Sequence, residues 1–308
     1  MKLAPIVLFT YCRPWHTQQT VEALLRNKEA AYSDLYIYSD APKNDSARSG
    51  VVETRRYIRS ITGFKSINII ERERNWGLAN SLIDGITHIV GEYGRVIVVE
   101  DDIVTSPYFL RYMNEGLELY KDEEQVACIH GYMYPSTKKL PEMFFIKGAD
   151  CWGWATWKRA WDVFNSDAQA LLNEINKRKL QREFNFNYTY PYTDMLKAQI
   201  RGEVDSWAIR WYASAFLNNM YTLYPGQSMV VQIGMDGVEA THCTRNNCYE
   251  VELKNTPVLY NNAKLRIENS KEGMYVFEAF FFKHILGKKG KVKCLFCLVR
   301  DCVLHLFF

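Results

Sequence analysis

Three consecutive carboxylates, Glu100, Asp101 and Asp102, follow a strongly β-forming run at residues 95–99. Their mutual repulsion raises their pKa values unless a cation lies among them. This acidic triplet therefore indicates either a solvated turn after a strand or a divalent metal site with oxygen ligands. Because neighbouring side chains of an extended segment point to opposite sides, one triplet can contact two ends of a ligand.

Other polar residues also follow predicted strands: Arg13 follows the first, Asp40 the second and Asn75 the third. Strand and helix alternate through this half, which predicts an α/β fold with a mostly parallel, Rossmann-like sheet flanked by helices. Such sheets bind ligands beyond the carboxyl ends of their strands, so we expect these residues to meet Asp102 at one site. Strands are predicted at 5–11, 34–39, 66–71 and 95–99, and helices at 17–27, 47–61 and 75–88.

The second half of the chain has a less regular pattern, without an internal repeat or an obvious linker. It is expected to complete one compact domain rather than to form a second one. Strands are predicted at 128–132, 143–146, 221–225 and 229–233, and helices at 157–165, 171–184 and 206–218.

The composition excludes several classes of protein. The 308 residues are 48% hydrophobic and 24% charged, as in a globular domain, and the net charge is +3. Without one dense basic patch, the sequence predicts no nucleic-acid partner. The eight cysteines are scattered rather than arranged as a disulfide framework, so we expect them to be reduced. The apolar run at 5–11 is too short for a signal peptide, which favours a cytoplasmic location.

The sequence VVEDDIVTSPYF at residues 98–109 resembles the metal-binding segment of GT-A glycosyltransferases, most closely of the N-acetylglucosaminyltransferase I type. The resemblance extends in segment order over residues 4–245 and implies the GT-A fold. It also implies that residues 1–110 hold the nucleotide sugar and residues 111–265 hold the acceptor. Residues 266–308 would form a separate tail.

The resemblance assigns roles to the triplet. Asp102 would coordinate Mn²⁺ (or Mg²⁺) at the donor diphosphate, Asp101 would contact the ribose, and Glu100 would contact the donor sugar. Arg13 and Asp40 match residues that line the nucleotide pocket.

The sequence NWGLAN at 75–80 resembles the Asn-x-Gly segment of family 2 glycosyltransferases, which places Asn75 and Gly77 beside the nucleotide. Asn75 could also be an ordinary helix N-cap.

The sequence GADCWGWATW at 148–157 resembles the Gly-Trp segment that forms the wall of the sugar-binding cleft. Gly153 would allow the backbone to approach the donor closely, and Trp154 would line the cleft. The alternative is that these tryptophans fill the core.

Inversion at the anomeric carbon requires a base that removes the proton of the acceptor hydroxyl. The sequence VDSW at 204–207 resembles the family segment in which an Asp near a Trp is this base, which assigns the role to Asp205. Val204 and Ser206 stand where the compared family member has Trp and Asp. The alternative is that Asp205 caps the helix at 206–218, and Glu203 is the reserve candidate for the base.

Two further segments carry predictions. GMDGVEATHC at 234–243 resembles the glycine-rich loop that closes over the donor, from which His242 would reach the metal or diphosphate.

Residues 280–308 are basic and apolar, without the ~20 apolar residues needed to span a bilayer. We expect this tail either to bind an anionic membrane surface or to pack as a helix on the domain.

These residues together predict an inverting, metal-dependent glycosyltransferase that uses a UDP-sugar, with UDP-GlcNAc as the expected donor. The acceptor would be a glycan, and the tail favours a lipid-linked bacterial surface saccharide at the inner face of the cell membrane. Two rival functions are a nucleotidyltransferase, which would share the sheet and metal site, and a non-catalytic sugar-binding protein with the same fold.

Overall fold

The structure is a computed structural model that describes residues 2–236, 248–260, 264–286, 291 and 294. Its strands are β1 (Ile6–Thr10), β2 (Asp34–Ser39), β3 (Ser66–Glu71), β4 (Arg95–Glu100), β5 (Ile103–Thr105), β6 (Val126–His130), β7 (Met143–Lys147), β8 (Trp154–Trp157), β9 (Tyr221–Pro225) and β10 (Val230–Gln232). Its helices are α1 (Pro14–Leu25), α2 (Asp45–Ile58), α3 (Leu78–Tyr93), α4 (Phe109–Leu119), α5 (Lys158–Trp161), α6 (Ala168–Lys177), α7 (Gln181–Phe184), α8 (Tyr192–Ile200), α9 (Trp207–Leu217) and α10 (Lys271–His284).

Eight strands form one sheet in the order β3-β2-β1-β4-β8-β6-β9-β7. The strands β3, β2, β1 and β4 are parallel to one another, and β6 and β9 run in the same direction. In this sheet only β8 and β7 are antiparallel to the other strands. β10 pairs with β5 in a separate two-stranded sheet. The predicted α/β class with a mostly parallel, helix-flanked sheet is confirmed.

The order of the strands creates a switch point between β1 and β4. From β1 the chain continues outward to β2 and β3, and it then returns to place β4 on the other side of β1. Ligands of open α/β sheets bind at the carboxyl ends of strands that flank such a point. Both strands are buried along nearly their whole length, which explains their continuous apolar sequences. The residues that follow β1 and β4 therefore share one crevice.

The centre of the sheet differs from the sequence prediction. A helix was expected at 157–165, but Trp154–Trp157 is the strand β8, which pairs with both β4 and β6, and only one helical turn follows it. The predicted helix at 171–184 is two helices, α6 and α7, separated where Lys179 adopts a φ of 58°. The left-handed backbone at Lys179 is incompatible with a continuous right-handed helix.

The helix α10 lies within the predicted tail and packs on the domain. Ser270 caps it by accepting a hydrogen bond from the backbone N–H of Gly273 at 3.1 Å. Val276, Phe277 and Phe281 are among its side chains buried in a second apolar cluster with α6, α8 and α9. No helix in the described part of the chain combines the length and the apolar character that crossing a bilayer requires. The predicted membrane-binding segment 280–308 begins within α10, and most of its residues after 286 lie outside the described residues, so its membrane contact stays a prediction.

Candidate active site

The carboxyl ends of β1, β2 and β4 surround a cavity of about 350 Å³, which we call the charged cavity. As expected for a crevice at the switch point, the sheet brings together residues that are far apart in the chain. Predicted site residues in its wall are Arg13, Asp40, Asn75, Gly77, Glu100, Asp101 and Asp102.

Arg13 holds the acidic triplet together. Its Nη2 donates to Asp101 Oδ1 and, at 2.9 Å, to Asp102 Oδ2. Burial by itself would lower the pKa of Arg13, but the two carboxylates outweigh it and raise that pKa above its ordinary value. The guanidinium is therefore a permanent cation at the floor of the cavity.

The triplet carries more negative charge than Arg13 neutralises. Burial, followed by the charges of Asp102 and Asp101, raises the pKa of Glu100 to about 8. Burial is also the main reason why the pKa of Asp101 rises to about 6, although Arg13 opposes this shift. A bound cation would remove this cost, because it favours the ionised carboxylates.

A divalent metal fits this donor set. Hard cations such as Mn²⁺ and Mg²⁺ prefer carboxylate oxygens, and the triplet presents them with unbalanced charge. The described residues include no group of three or more His, Cys, Asp and Glu side chains arranged around one metal position. A metal here would therefore take one or two protein ligands, Asp102 foremost, and complete its shell with phosphate oxygens and water.

The segment after β10 closes against Asp102. Gln232 Nε2 donates to Asp102 Oδ2 at 3.0 Å, and the backbone N–H of Ile233 donates to the Asp102 carbonyl at 2.9 Å. Gly234 approaches so closely that a Cβ there would overlap Asp102 Oδ2 and lie 2.7 Å from an Arg13 nitrogen. Only glycine can occupy this position without displacing the triplet. The loop was predicted to cover the donor; its residue His242 lies outside the described residues.

Asp40 and Asn75 form the opposite wall. Asp40 Oδ2 accepts hydrogen bonds from the Gly77 N–H at 2.9 Å and from Asn75 Nδ2 at 3.0 Å, and Oδ1 accepts from the Trp76 N–H at 2.9 Å. Asn75 does not cap α3, because Gly77 is the N-cap residue, with a φ of 74°. The capping alternative for Asn75 is wrong, and its amide instead helps Asp40 to hold the loop at 75–77.

Gly153 and Trp154 are not exposed to a cleft, contrary to the sequence interpretation. Trp154 is 0% exposed and packs against Trp207 and Trp211, with ring centroids 5.7 and 5.9 Å apart. Gly153 has a φ of 62°, and a Cβ there would lie 2.9 Å from Val230 Cγ1. Because Trp154 belongs to β8, its indole fills the core.

A second cavity of about 280 Å³, which we call the aromatic cavity, was not predicted. Asp150, Cys151 and Trp152, which immediately precede Gly153, lie in its wall. The sequence contained a signal for these residues, because Asp150 is the only carboxylate in the Trp-rich segment 148–157. The other residues of the wall are Tyr132, Tyr134, Ala149, Tyr190, Tyr192, Met195, Ser206, Ala208, Ile209, Tyr212, Met235 and Tyr249.

Asp205 lies at the start of α9 but does not cap it. Ser206 is the N-cap, and its hydroxyl accepts a hydrogen bond from the Ile209 N–H at 3.3 Å. Asp205 has a side chain that is 62% exposed and that accepts a hydrogen bond from Arg210 Nη2 at 3.1 Å. The capping alternative for Asp205 is therefore wrong. The reserve candidate Glu203 is an exposed carboxylate held by Arg201 at 2.6 Å.

No protein-family model and no curated protein match this chain. Among solved structures it is similar to a mannosyltransferase, PcManGT from Pyrobaculum calidifontis, in complex with GDP-Man and Mn2+, with 12% identity, a TM-score of 0.33 and coverage of 43% of this chain. It is also similar to S. aureus TarS 1-349, with 10% identity and a TM-score of 0.36 over 72% of this chain, and to S. aureus TarS, with 13% identity and a TM-score of 0.36 over 73%. The chain spans 36%, 60% and 36% of these three structures, respectively. At these identities and TM-scores, we draw the function from the site rather than from the likeness.

Proposed function

We propose that this protein is a metal-dependent glycosyltransferase that moves a sugar from a nucleotide-sugar donor to a glycan hydroxyl. The observation that supports this most directly is the pair of neighbouring cavities. One is lined by the acidic triplet, Arg13 and Asp40, and the other is lined by aromatic rings. The first has the chemistry to hold a diphosphate and its cation, and the second has the chemistry to hold sugar rings.

In this proposal the charged cavity holds the nucleotide part of the donor. Asp102 holds the metal, which when bound supplies Lewis-acid stabilisation of the diphosphate leaving group. Asp101 contacts the ribose, and Glu100 contacts the donor sugar. Arg13 keeps the triplet in place by its bonds to Asp101 and Asp102. The loop at 75–77, which Asp40 fixes, forms the wall beside the nucleotide.

The finer assignments rest on the sequence resemblance. They are an inverting reaction, UDP-GlcNAc as donor and a lipid-linked saccharide at a membrane surface as acceptor. Asp205 is the proposed base, because Ser206, Ala208 and Ile209 on the adjoining turn of α9 contribute to the aromatic cavity. Its ion pair with Arg210 would orient the carboxylate.

The proposal can be tested with purified protein and a set of UDP- and GDP-sugars. With Mn²⁺ present, the correct donor at about 100 times its Kd should raise the melting temperature by roughly 5 °C or more. EDTA should remove this protection, and Asp102→Asn should remove both the protection and turnover. Asp45→Asn is the matched control, because the side chain of Asp45 is 95% exposed on α2.

The reaction products distinguish glycosyl transfer from the two rival functions, nucleotidyl transfer and sugar binding without catalysis. Release of the nucleoside diphosphate with transfer or hydrolysis of the sugar supports glycosyl transfer. Release of pyrophosphate from a nucleoside triphosphate and a sugar phosphate would mean a nucleotidyltransferase. Donor protection with no turnover on any acceptor or water would mean a sugar-binding protein, and full activity in EDTA would contradict the metal assignment.

A further inference from the structure

The aromatic cavity has the features of a binding site for one sugar ring. Its wall combines six phenol rings and one indole with seven small or apolar side chains and one carboxylate. Aromatic side chains in a preformed cavity can pack against the apolar face of a sugar ring without a large rearrangement of the protein. At about 280 Å³, the cavity lies just below the volumes of pockets that hold drug-sized ligands, which suits a single sugar ring. It is too small for a nucleotide together with a sugar.

Asp150 is the polar centre of this cavity. Its Oδ1 accepts a hydrogen bond from the Cys151 N–H at 2.8 Å, and its Oδ2 accepts one from the Tyr224 hydroxyl at 3.0 Å. The side chain remains 26% exposed. Each carboxylate oxygen accepts more than one hydrogen bond, so these two contacts fix the carboxylate and leave it able to accept bonds from a ligand.

Asp150 is not neutralised by the histidine beside it. His130 Nε2 lies 3.6 Å from Asp150 Oδ1, but it accepts a hydrogen bond from the Trp152 N–H at 3.0 Å. A nitrogen that accepts carries no proton, so the proton of the imidazole lies on Nδ1, which faces the Tyr132 carbonyl at 3.1 Å. Burial also lowers the pKa of His130, which keeps the ring neutral.

The wall of the aromatic cavity contributes no positive charge. None of the described residues that line it is a lysine or an arginine. The surrounding phenols stay protonated at neutral pH; burial, and then the charge of Asp150, raises the pKa of Tyr190 to about 12. The cavity therefore presents neutral hydroxyl groups and one carboxylate to its ligand.

The position of the aromatic cavity, near both the triplet and the segment of the proposed base, also suits an acceptor. Cys151 in its wall is close enough to the triplet that burial, and then the charges of Asp150 and Glu100, raise the pKa of its thiol. Met235 in the same wall follows Gly234, which packs against Asp102. On the other side, Ser206 and Ala208 come from the turn of α9 that begins beside Asp205. The wall of the aromatic cavity thus includes chain neighbours of Gly234, which packs on the triplet, and of Asp205, the proposed base.

We propose that the aromatic cavity binds the terminal sugar of the acceptor as an uncharged pyranose, with Asp150 accepting hydrogen bonds from its hydroxyl groups and excluding acidic sugars. This inference rests on the proposed function, because the acceptor role presupposes glycosyl transfer. A hydroxyl donates well to a carboxylate, whereas a uronate or a phosphate group would meet the like charge of Asp150, and the described residues of the wall include no lysine or arginine to offset it.

The test measures saccharide binding without any donor. Saturation-transfer NMR is recorded with methyl β-glucoside, methyl β-N-acetylglucosaminide and methyl β-glucuronide, each added to the full chain. The wild type should bind at least one neutral glycoside and bind the glucuronide at least about tenfold more weakly. Asp150→Asn should weaken the neutral glycoside by roughly tenfold to a hundredfold and reduce the discrimination against the glucuronide.

Two further variants keep the result interpretable. Asp194→Asn removes a carboxylate whose side chain is 63% exposed on α8, outside the wall of the aromatic cavity, and should bind as the wild type does. Ala208→Phe fills the cavity from a half-buried position and removes no hydrogen bond from it. It should abolish glycoside binding even if Asp150→Asn fails to fold.

The outcomes separate this inference from the proposed function. If the wild type transfers sugar but Ala208→Phe and Asp150→Asn bind glycosides normally, the acceptor lies elsewhere and only the inference fails. If the wild type binds the glucuronide as well as the neutral sugars, the specificity role of Asp150 is wrong. If the cavity binds neutral glycosides but no donor gives turnover, the proposed function fails while the sugar site stands. Competition between the neutral glycoside and the nucleotide sugar for one site would assign the cavity to the donor and overturn the acceptor role.

Discussion

The charged and aromatic cavities are built in different ways. The charged cavity takes most of its polar residues from the ends of three neighbouring parallel strands, within the first 102 residues. The aromatic cavity is assembled from six separate segments: the chain after β6, the loop before β8, the chain around α8, the first turns of α9, residue 235 and residue 249. The order of the strands thus positions the first cavity, whereas long-range packing positions the second.

The two cavities also differ in how their polar groups are used. In the charged cavity, Arg13 and Asp40 are already engaged in bonds that hold the triplet and the loop at 75–77. In the aromatic cavity, Asp150 is a half-buried carboxylate among neutral rings. Substitutions in the charged cavity should therefore affect both folding and binding. Substitutions at the edge of the aromatic cavity should affect catalysis with little effect on folding.

The largest expected effect concerns Asp205, beside the aromatic cavity. Asp205→Asn keeps the size of the side chain but removes the proposed base, so kcat should fall by about 10²–10⁴. Donor protection against heat should persist, because the charged cavity, the proposed donor site, lies on other segments. We would measure kcat and the melting temperature with and without Mn²⁺ and donor. A variant that retains more than about a tenth of the wild-type kcat would move the base elsewhere, with Glu203 tested next.

The structure provides a matched control for that substitution. Ser206→Ala removes the N-cap of α9 and should cost roughly 1 kcal/mol of stability. Asp205→Ala should cost less than this, because Asp205 contributes no cap bond and its ion pair with Arg210 is mostly exposed on the carboxylate side. If Asp205→Ala lost more stability than Ser206→Ala, Asp205 would contribute to the folding of α9, and a loss of kcat in Asp205→Asn could not be assigned to catalysis alone.

An intermediate effect is expected at Asp40, in the charged cavity. Asp40→Ala leaves the N–H groups of Trp76 and Gly77 without their acceptor, so the free energy of unfolding should fall by about 2–3 kcal/mol. Asp40→Asn keeps one oxygen acceptor and should lose less. Urea denaturation of both variants measures the difference. If Asp40→Ala were as stable as the wild type, the hydrogen bonds of Asp40 in the charged cavity would not contribute to folding, and the expected link between binding and folding there would be wrong.

A pH dependence of stability is expected from Glu100. In the absence of a divalent cation, the folded protein holds the proton of Glu100 up to about pH 8, whereas the ordinary pKa is 4.5. Between these values the unfolded chain has lost this proton and the folded chain has kept it, so this group makes stability decrease as the pH rises. The slope is at most about 1.4 kcal/mol per pH unit.

Glu100→Gln should remove this contribution. The difference is clearest between pH 6 and pH 8, because the pKa of Asp101, at about 6, contributes less there. Melting temperatures of Glu100→Gln and the wild type should therefore converge as the pH falls and diverge as it rises. Glu53→Gln, at an exposed carboxylate on α2, is the control and should follow the wild type. Saturating Mn²⁺ should also reduce the wild-type slope, because a cation stabilises the ionised triplet.

Local sequence determined the parallel part of the sheet and the charged cavity at its edge. The apolar runs predicted β2 and β3 with their observed bounds, and the placement of Arg13, Asp40 and the triplet after strands predicted a shared cavity. This worked because a parallel β/α unit is specified locally, by a buried strand, a polar turn and an amphipathic helix. Once these units stack, the carboxyl ends of their strands meet without further information.

Tertiary structure alone decided the roles of the Trp-rich segment and of α9. Trp152 faces the aromatic cavity and Trp154 fills the core, because the strand β8 inserts between β4 and β6. Trp152 and Trp154 are two residues apart, so a regular strand would place both on one face; Gly153, with a φ of 62°, separates Trp152 from β8 and gives the two indoles different surroundings. Asp150 was likewise visible in the sequence but not recognisable as a site. Its aromatic neighbours come from segments that only the folded chain brings together.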